Sequence, residues 1–225
     1  MWREGQHRIS LSLETRMIAS RKTSLLREVD FAKEVAFLIE ATLEAFDQDY
    51  RVTLSRREDA ISRQLVFALR RLQSKEGWEW FGDYVISGQR DELDADLEVH
   101  LGRTDITFEL GSHHRFIWEC KRLHYKGKTL YGEYRREGVM RFISEKYAKG
   151  QSHGGMLAFV MDGKIDKAIA GVETHLNAHR TELKINGGCF QPCPDAKDSR
   201  LRLSLHLERG DFKLFHCYLP IRWSR

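Results

Sequence analysis

The apolar run Phe116-Ile117-Trp118-Glu119-Cys120-Lys121 carries a carboxylate and an amine on alternate positions. In an extended strand alternate side chains share a face, so Glu119 and Lys121 point one way and Trp118 and Cys120 the other. An acid and a base inside an apolar strand are costly to bury unless they pair or bind an ion. A further carboxylate, Asp105, opens the preceding strand-like run. Two acids and an amine on neighbouring strands suit a metal-dependent nuclease centre. The spacing by itself is cheap, because acid, any residue, lysine recurs at Asp162/Lys164, Glu182/Lys184, Asp195/Lys197 and Asp211/Lys213. Those copies adjoin turn glycines, follow Pro194 or end a helix, whereas Glu119 and Lys121 lie inside a strand.

The elements that must position these residues follow from periodicity. Ser24 to Asp47 repeats apolar residues at Val29, Ala32, Ala36, Ile39, Leu43 and Phe46 and predicts a long amphipathic helix. Ser55 and Glu58, at capping-box spacing, open a second helix with Ile61, Leu65, Leu69 and Leu72 as its apolar face. Trp80 to Ser87, Asp96 to Leu101, Asp105 to Leu110 and Arg115 to Lys121 then read as strands of an antiparallel meander. A helix from about Glu133 to Lys149 follows, and Gly154-Gly155 introduces Met156 to Met161 as a strand buried on both faces. Lys164 to Leu183 reads as a helix, and Leu201 to Leu207 with Phe212 to Leu219 as a C-terminal β-hairpin. This order predicts one α/β (α+β) domain with a mixed central sheet flanked by helices. Residues 1–50 would form a helical N-terminal extension, 51–163 the core with the site, and 164–225 the closing helix and hairpin.

Asp105, the Glu119-Cys120-Lys121 triplet and the order helix, three strands, helix, strand resemble the PD-(D/E)XK nuclease superfamily, the restriction-endonuclease-like fold. The resemblance runs from about Ser55 to Met161, and Thr104 stands where that family often has proline. It implies Asp105 and Glu119 as metal ligands, with the backbone carbonyl of Cys120 completing the set. Lys121 would sit beside the attacking water, orienting it, assisting its deprotonation or stabilising the developing charge. Glu58 occupies the place of a further glutamate that the family often supplies from the helix before the core, or else it closes the capping box with Ser55. The implied cofactor is Mg²⁺, with Mn²⁺ as a substitute, and the implied substrate is DNA ahead of RNA. Mg²⁺ fits because it is a hard cation held by one or two carboxylates, and because phosphodiester hydrolysis needs charge offset and an activated water. Likeness to small nucleases of bacterial antiphage defence suggests that setting, with a helicase or ATPase partner and a homodimer as further expectations.

The rival from another class is a non-catalytic nucleic-acid-binding or assembly module of the same fold, with Asp105, Glu119 and Lys121 as a structural ion cluster. Convergence of these groups around one ion-sized space open to solvent separates the two.

Weaker signals surround this one. Counted at about 100° per residue, Arg135 and Lys146 share the arc of Val139, Phe142, Ile143 and Tyr147, where they could reach a phosphate or lay their stems past the core. Lys126 and Lys128, interleaved with Tyr125, Tyr131 and Tyr134, suit a backbone-tracking surface, although a polar loop is the plainer reading. His175 and His179 fit a solvated helix face better than a metal pair, and Cys189 and Cys193 with Cys217 or His216 make a poor zinc set. His206 and His216, on the two arms of the hairpin, are assigned no chemistry. The net charge of +4 permits a nucleic-acid partner without requiring one. Four unevenly spaced cysteines, no signal-like N-terminus and no bilayer-length apolar run predict a reduced, soluble, cytoplasmic chain without a membrane partner. With no Walker-type loop, any ATP-driven step would come from a partner.

Overall fold

The computed structural model describes residues 33–48, 57–94, 99–110, 114–124, 126, 128–191, 193, 198–207 and 210–221. Among them, no helix is long and apolar enough to cross a membrane. Six strands form one mixed sheet, flanked on both faces by helices. In chain order these elements are helix α1 (33–48), α2 (Glu58–Leu72), β1 (Val85–Asp94), β2 (Val99–Leu110), β3 (His114–Leu123), α3 (Lys128–Tyr134), α4 (Met140–Ile143), β4 (His153–Val160), α5 (Ile165–Ala178), β5 (Leu201–His206) and β6 (Phe212–Pro220). Their order across the sheet is β1-β2-β3-β4-β6-β5. β1, β2 and β3 pair antiparallel, β4 lies parallel to β3, and β6 lies parallel to β4. The C-terminal hairpin therefore extends the main sheet, with β5 antiparallel at its edge.

Alternation along the central strands builds two core layers. Phe116, Trp118, Cys120, Leu157 and Phe159 pack against α1 and α2 on one face, while Ile117, Met156, Ala158 and Val160 pack against α3, α4 and α5 on the other. β4 is buried throughout, as expected for a strand covered on both sides. In α2 the apolar residues Ile61, Leu65, Leu69 and Leu72 all face the core, and acidic residues in the first turn and basic ones in the last complement the helix dipole. The buried stripe of α1 runs through Val35, Leu38, Ile39, Thr42, Ala45 and Phe46, leaving Ala36 and Leu43 at its border. Thr42 accepts a hydrogen bond from Trp118 Nε1 at 3.1 Å and so fixes α1 on the sheet. The expected helix positions before residue 33, Val29 and Ala32 among them, lie outside the described residues, as does Ser55.

Three elements depart from expectation. Glu79–Asp83 is a short 3₁₀ helix where a strand was expected, because Trp78, Trp80, Phe81 and Tyr84 cluster their rings with Phe108 and Phe37 instead of alternating. The two expected strands around Gly102 are one strand, β2, with an irregularity opposite Glu92/Leu93. The helix expected over Glu133–Lys149 begins at Lys128, passes through a π-helical turn at Arg135–Val139 and stops at Ile143.

Candidate active site

β2 and β3 pair only from Leu110↔His114 to Ile106↔Trp118. Beyond that point β2 continues beside β1, and β3 continues beside β4. The two strands fork, and the fork leaves backbone groups on the facing edges without a strand partner. Buried backbone donors and acceptors must be satisfied from elsewhere. Here side chains do it. The Cys120 amide donates to Asp105 Oδ2 at 2.8 Å, and the Arg122 amide donates to Glu58 Oε2 at 2.9 Å. The Cys120 carbonyl accepts from Lys121 Nζ at 2.9 Å, and the Arg103 carbonyl accepts from the Tyr147 hydroxyl at 2.7 Å.

The Lys121 amine lies 2.7 Å from Glu119 Oε1 and 3.5 Å from Glu58 Oε1, so it sits among two carboxylates and a carbonyl. Arg141 donates to the same Glu119 oxygen at 3.0 Å and to the Tyr147 hydroxyl at 2.6 Å. The other oxygen, Glu119 Oε2, is buried without a hydrogen-bond partner. Burial pushes the Glu119 carboxyl up to about 8, against the pull of Lys121 and Arg141, and burial raises Asp105 in the same direction. For Lys121 burial opposes the charge, but Glu119, Glu58 and Asp105 together outweigh it and hold the ammonium form above its ordinary range. Tyr147 is pushed up to about 12, first by burial and then by Glu119, so its hydroxyl keeps its proton.

Asp105, Glu119, Lys121 and the Cys120 backbone thus come together, and Glu58 joins them. The described helix starts at Glu58 with Arg57 as its N-cap and no side-chain cap hydrogen bond, and the Glu58 carboxylate turns to β3; Ser55, the other half of the expected capping box, lies outside the described residues. The basic residues offered as possible phosphate contacts are spread over separate elements. Arg135 is buried and paired with Glu182 after the end of α5. Lys146 is exposed in the turn after α4, and Lys126 is exposed in the connection after β3, while Lys128 opens α3. Arg141 is the residue that the phase count missed, since at about 100° per residue it falls opposite the apolar arc. That count assumed an uninterrupted helix, and the π turn and the stop at Ile143 break it. Gly138, in mid-helix, is the sequence signal for the irregularity.

The other constellations resolve plainly. His175 and His179 have ring centroids 5.0 Å apart, and His179 lies 3.3 Å from Glu182. Cys189 packs on one face of the sheet, whereas Cys193 and Cys217 pack on the other, so the zinc set does not assemble. His206 and His216 instead belong to a buried relay. Leu183 O meets His206 Nδ1 at 2.7 Å, His206 Nε2 meets Ser204 Oγ at 2.8 Å, Ser204 Oγ meets His216 Nε2 at 2.8 Å, and His216 Nδ1 meets Tyr134 OH at 2.8 Å. A carbonyl can only accept, which makes His206 Nδ1 the donor. With both rings neutral, Ser204 then donates to His206, His216 donates to Ser204, and Tyr134 donates to His216.

The fork's donor set is hard oxygen: carboxylates of Asp105, Glu119 and Glu58 and the Cys120 carbonyl. Among the described residues no three His, Cys, Asp or Glu side chains converge as a metal-holding group. A Mg²⁺ ion does not require such a cage, since it keeps several waters and takes one or two carboxylates. The unpartnered Glu119 oxygen and the ammonium seated among oxygens fit a site that receives a cation. No family model matches the chain, and neither curated proteins nor solved structures give a match.

Proposed function

We propose that the chain is a metal-dependent phosphodiesterase of the PD-(D/E)XK, restriction-endonuclease-like kind, acting on DNA. The observation that carries this reading is the fork, where Asp105, Glu119, Lys121 and Glu58 gather at a strand edge that has lost its neighbour. Asp105, Glu119 and the Cys120 carbonyl would hold Mg²⁺ or Mn²⁺, with Glu58 at the border of the set. When bound, the ion supplies charge offset and an activated water.

The protein's own groups do the rest. Asp105 keeps the edge of β3 open by taking the Cys120 amide, and Glu58 does the same for Arg122. Lys121, held as ammonium by its carboxylate neighbours, contributes by orientation and by stabilising negative charge on phosphate oxygens. That state argues against a role as proton acceptor. DNA as substrate, antiphage defence, a helicase or ATPase partner and homodimerisation rest on the resemblance and are part of the proposal.

The test is cleavage of supercoiled plasmid and of single-stranded DNA with Mg²⁺, Mn²⁺ or chelator, comparing wild type with Lys121→Ala. Divalent-dependent nicking that disappears in Lys121→Ala is the expected result. A second reading, the non-catalytic module, draws on the pairing of Glu119 with both Lys121 and Arg141, which offsets the acid with the protein's own cations. Equal stability and equal DNA binding of both proteins, with no cleavage by either, would favour it.

A further inference from the structure

Arg141 stands where a substrate could reach it. Its side chain is 25% exposed, against 12% for Lys121 and 2% for Glu119. Its guanidinium lies over the Tyr147 ring, 5.3 Å from the centroid, and donates to the Tyr147 hydroxyl. Tyr147 in turn is anchored on the Arg103 carbonyl at the other side of the fork. The remaining tether is Glu137, at 2.8 Å from Nη2, a carboxylate that is itself 58% exposed. Exposed pairs of this kind hold weakly.

The arrangement around Glu119 is lopsided. Lys121 and Arg141 both address Oε1, while Oε2 is buried and unpartnered. A guanidinium retained to neutralise a structural carboxylate would gain most by spanning both oxygens, because the bidentate geometry is the strong one. Arg141 does not. It spreads its donors over Glu119, Tyr147 and Glu137, which leaves a planar fork at the edge of the site suited to two oxygens of one phosphate.

We propose that Arg141 is an exchangeable clamp: it pairs with Glu119 while the site lacks a divalent cation, and it turns to the non-bridging oxygens of a substrate phosphodiester once a divalent cation takes Glu119, with Tyr147 as the pivot. The inference rests on the nuclease reading and adds a phosphate-contacting residue to it. Its consequence is competition, because Arg141 and the metal ion contend for one carboxylate.

The experiment measures Mn²⁺ binding to the full chain without nucleic acid, by the electron paramagnetic resonance signal of free Mn²⁺, for wild type, Arg141→Ala, Arg141→Lys and Tyr147→Phe. Arg141→Ala binds Mn²⁺ roughly three- to tenfold tighter, the loss of one partly exposed ion pair. The same variant cleaves DNA about 100-fold more slowly at saturating Mn²⁺. Arg141→Lys keeps the charge without the planar fork and recovers only a minor part of the rate. Tyr147→Phe keeps the ring and loses the anchor, so its cleavage falls while its Mn²⁺ affinity moves less than that of Arg141→Ala. Unchanged or weaker Mn²⁺ binding by folded Arg141→Ala, with wild type active, overturns the clamp and leaves the nuclease reading in place. Wild type that binds Mn²⁺ but cuts neither DNA form overturns the nuclease reading, and the phosphate half of the clamp with it.

Discussion

Two polar networks interrupt the core of one sheet, and they differ in how they end. In the relay from Leu183 to Tyr134 each nitrogen of both imidazoles has a partner, and Ser204, His206, His216 and Tyr134 are all fully buried. In the fork one Glu119 oxygen takes two cations and the other takes none, with Arg141 open to solvent at its border. A satisfied buried network rigidifies a core, whereas a half-satisfied one costs stability. Groups kept at such a cost with perturbed ionisation are candidates for chemistry. Histidines, serine and tyrosine, the side chains usually suspected of catalysis, are here the satisfied set, and the acids and bases of the fork are the half-satisfied one on which the proposed function rests.

Exchanging the two behaviours tests this contrast most strongly at Glu119. Glu119→Gln should lower metal-dependent DNA cleavage about 1,000-fold or more. Its stability should stay within about 1 kcal/mol of wild type or rise, because the amide replaces a buried carboxyl of which one oxygen has no partner. Plasmid cleavage rates and urea denaturation measure the two together, and full activity in the variant would remove Glu119 from the site. Ser204→Ala should do the reverse. It strips a donor from His206 and an acceptor from His216, each left buried, at a cost of about 2–4 kcal/mol. Its Mn²⁺ affinity should equal that of wild type. A relay variant as stable as wild type would show that those hydrogen bonds contribute nothing.

The sequence made the fork legible only in part, and the reasons are physical. Glu119, Lys121 and Asp105 could be read because a strand's period of two fixes which side chains share a face, and glycines mark where strands part. Glu58 could be read either as a cap for Ser55 or as a site carboxylate, and its partner on β3, the Arg122 amide, is bared only by the parting of β2 from β3. Arg141 escaped because the π turn and the early stop at Ile143 set its direction, and neither has a periodic signature. Gly154 and Gly155 were read as opening the strand. They lie inside β4, where a Cβ on Gly155 would come within 2.1 Å of the Trp118 ring and one on Gly154 within 2.6 Å of Phe142. Aromatic rings from distant elements impose those glycines, so local pattern could place them but not explain them.

The smallest expected effect sharpens the comparison through pH. Burial lowers His206 and lowers His216 further, and it brings His153 down to about 4. An unfolded imidazole titrates near 6.5, so the unfolded chain takes up these protons first as pH falls. The stability of the neutral imidazoles is therefore complete above about pH 6.5 and is lost as pH falls below it. Glu119 runs the other way. Its folded carboxyl is raised to about 8, so it holds a proton that the unfolded chain has already released, and stability is lost as pH rises from about 4.5 toward 8. Asp105, raised by burial, adds to that slope. Between pH 5 and 7 the two regions oppose each other, and the wild-type stability profile should be shallow. Glu119→Gln deletes the larger opposing group, so its stability should climb by about 2–3 kcal/mol over the same interval. Urea denaturation of both proteins at pH 5, 6 and 7 makes the comparison. Parallel profiles would mean that Glu119 does not carry its proton in the folded chain, and that the two cations on its single oxygen are enough to keep it ionised.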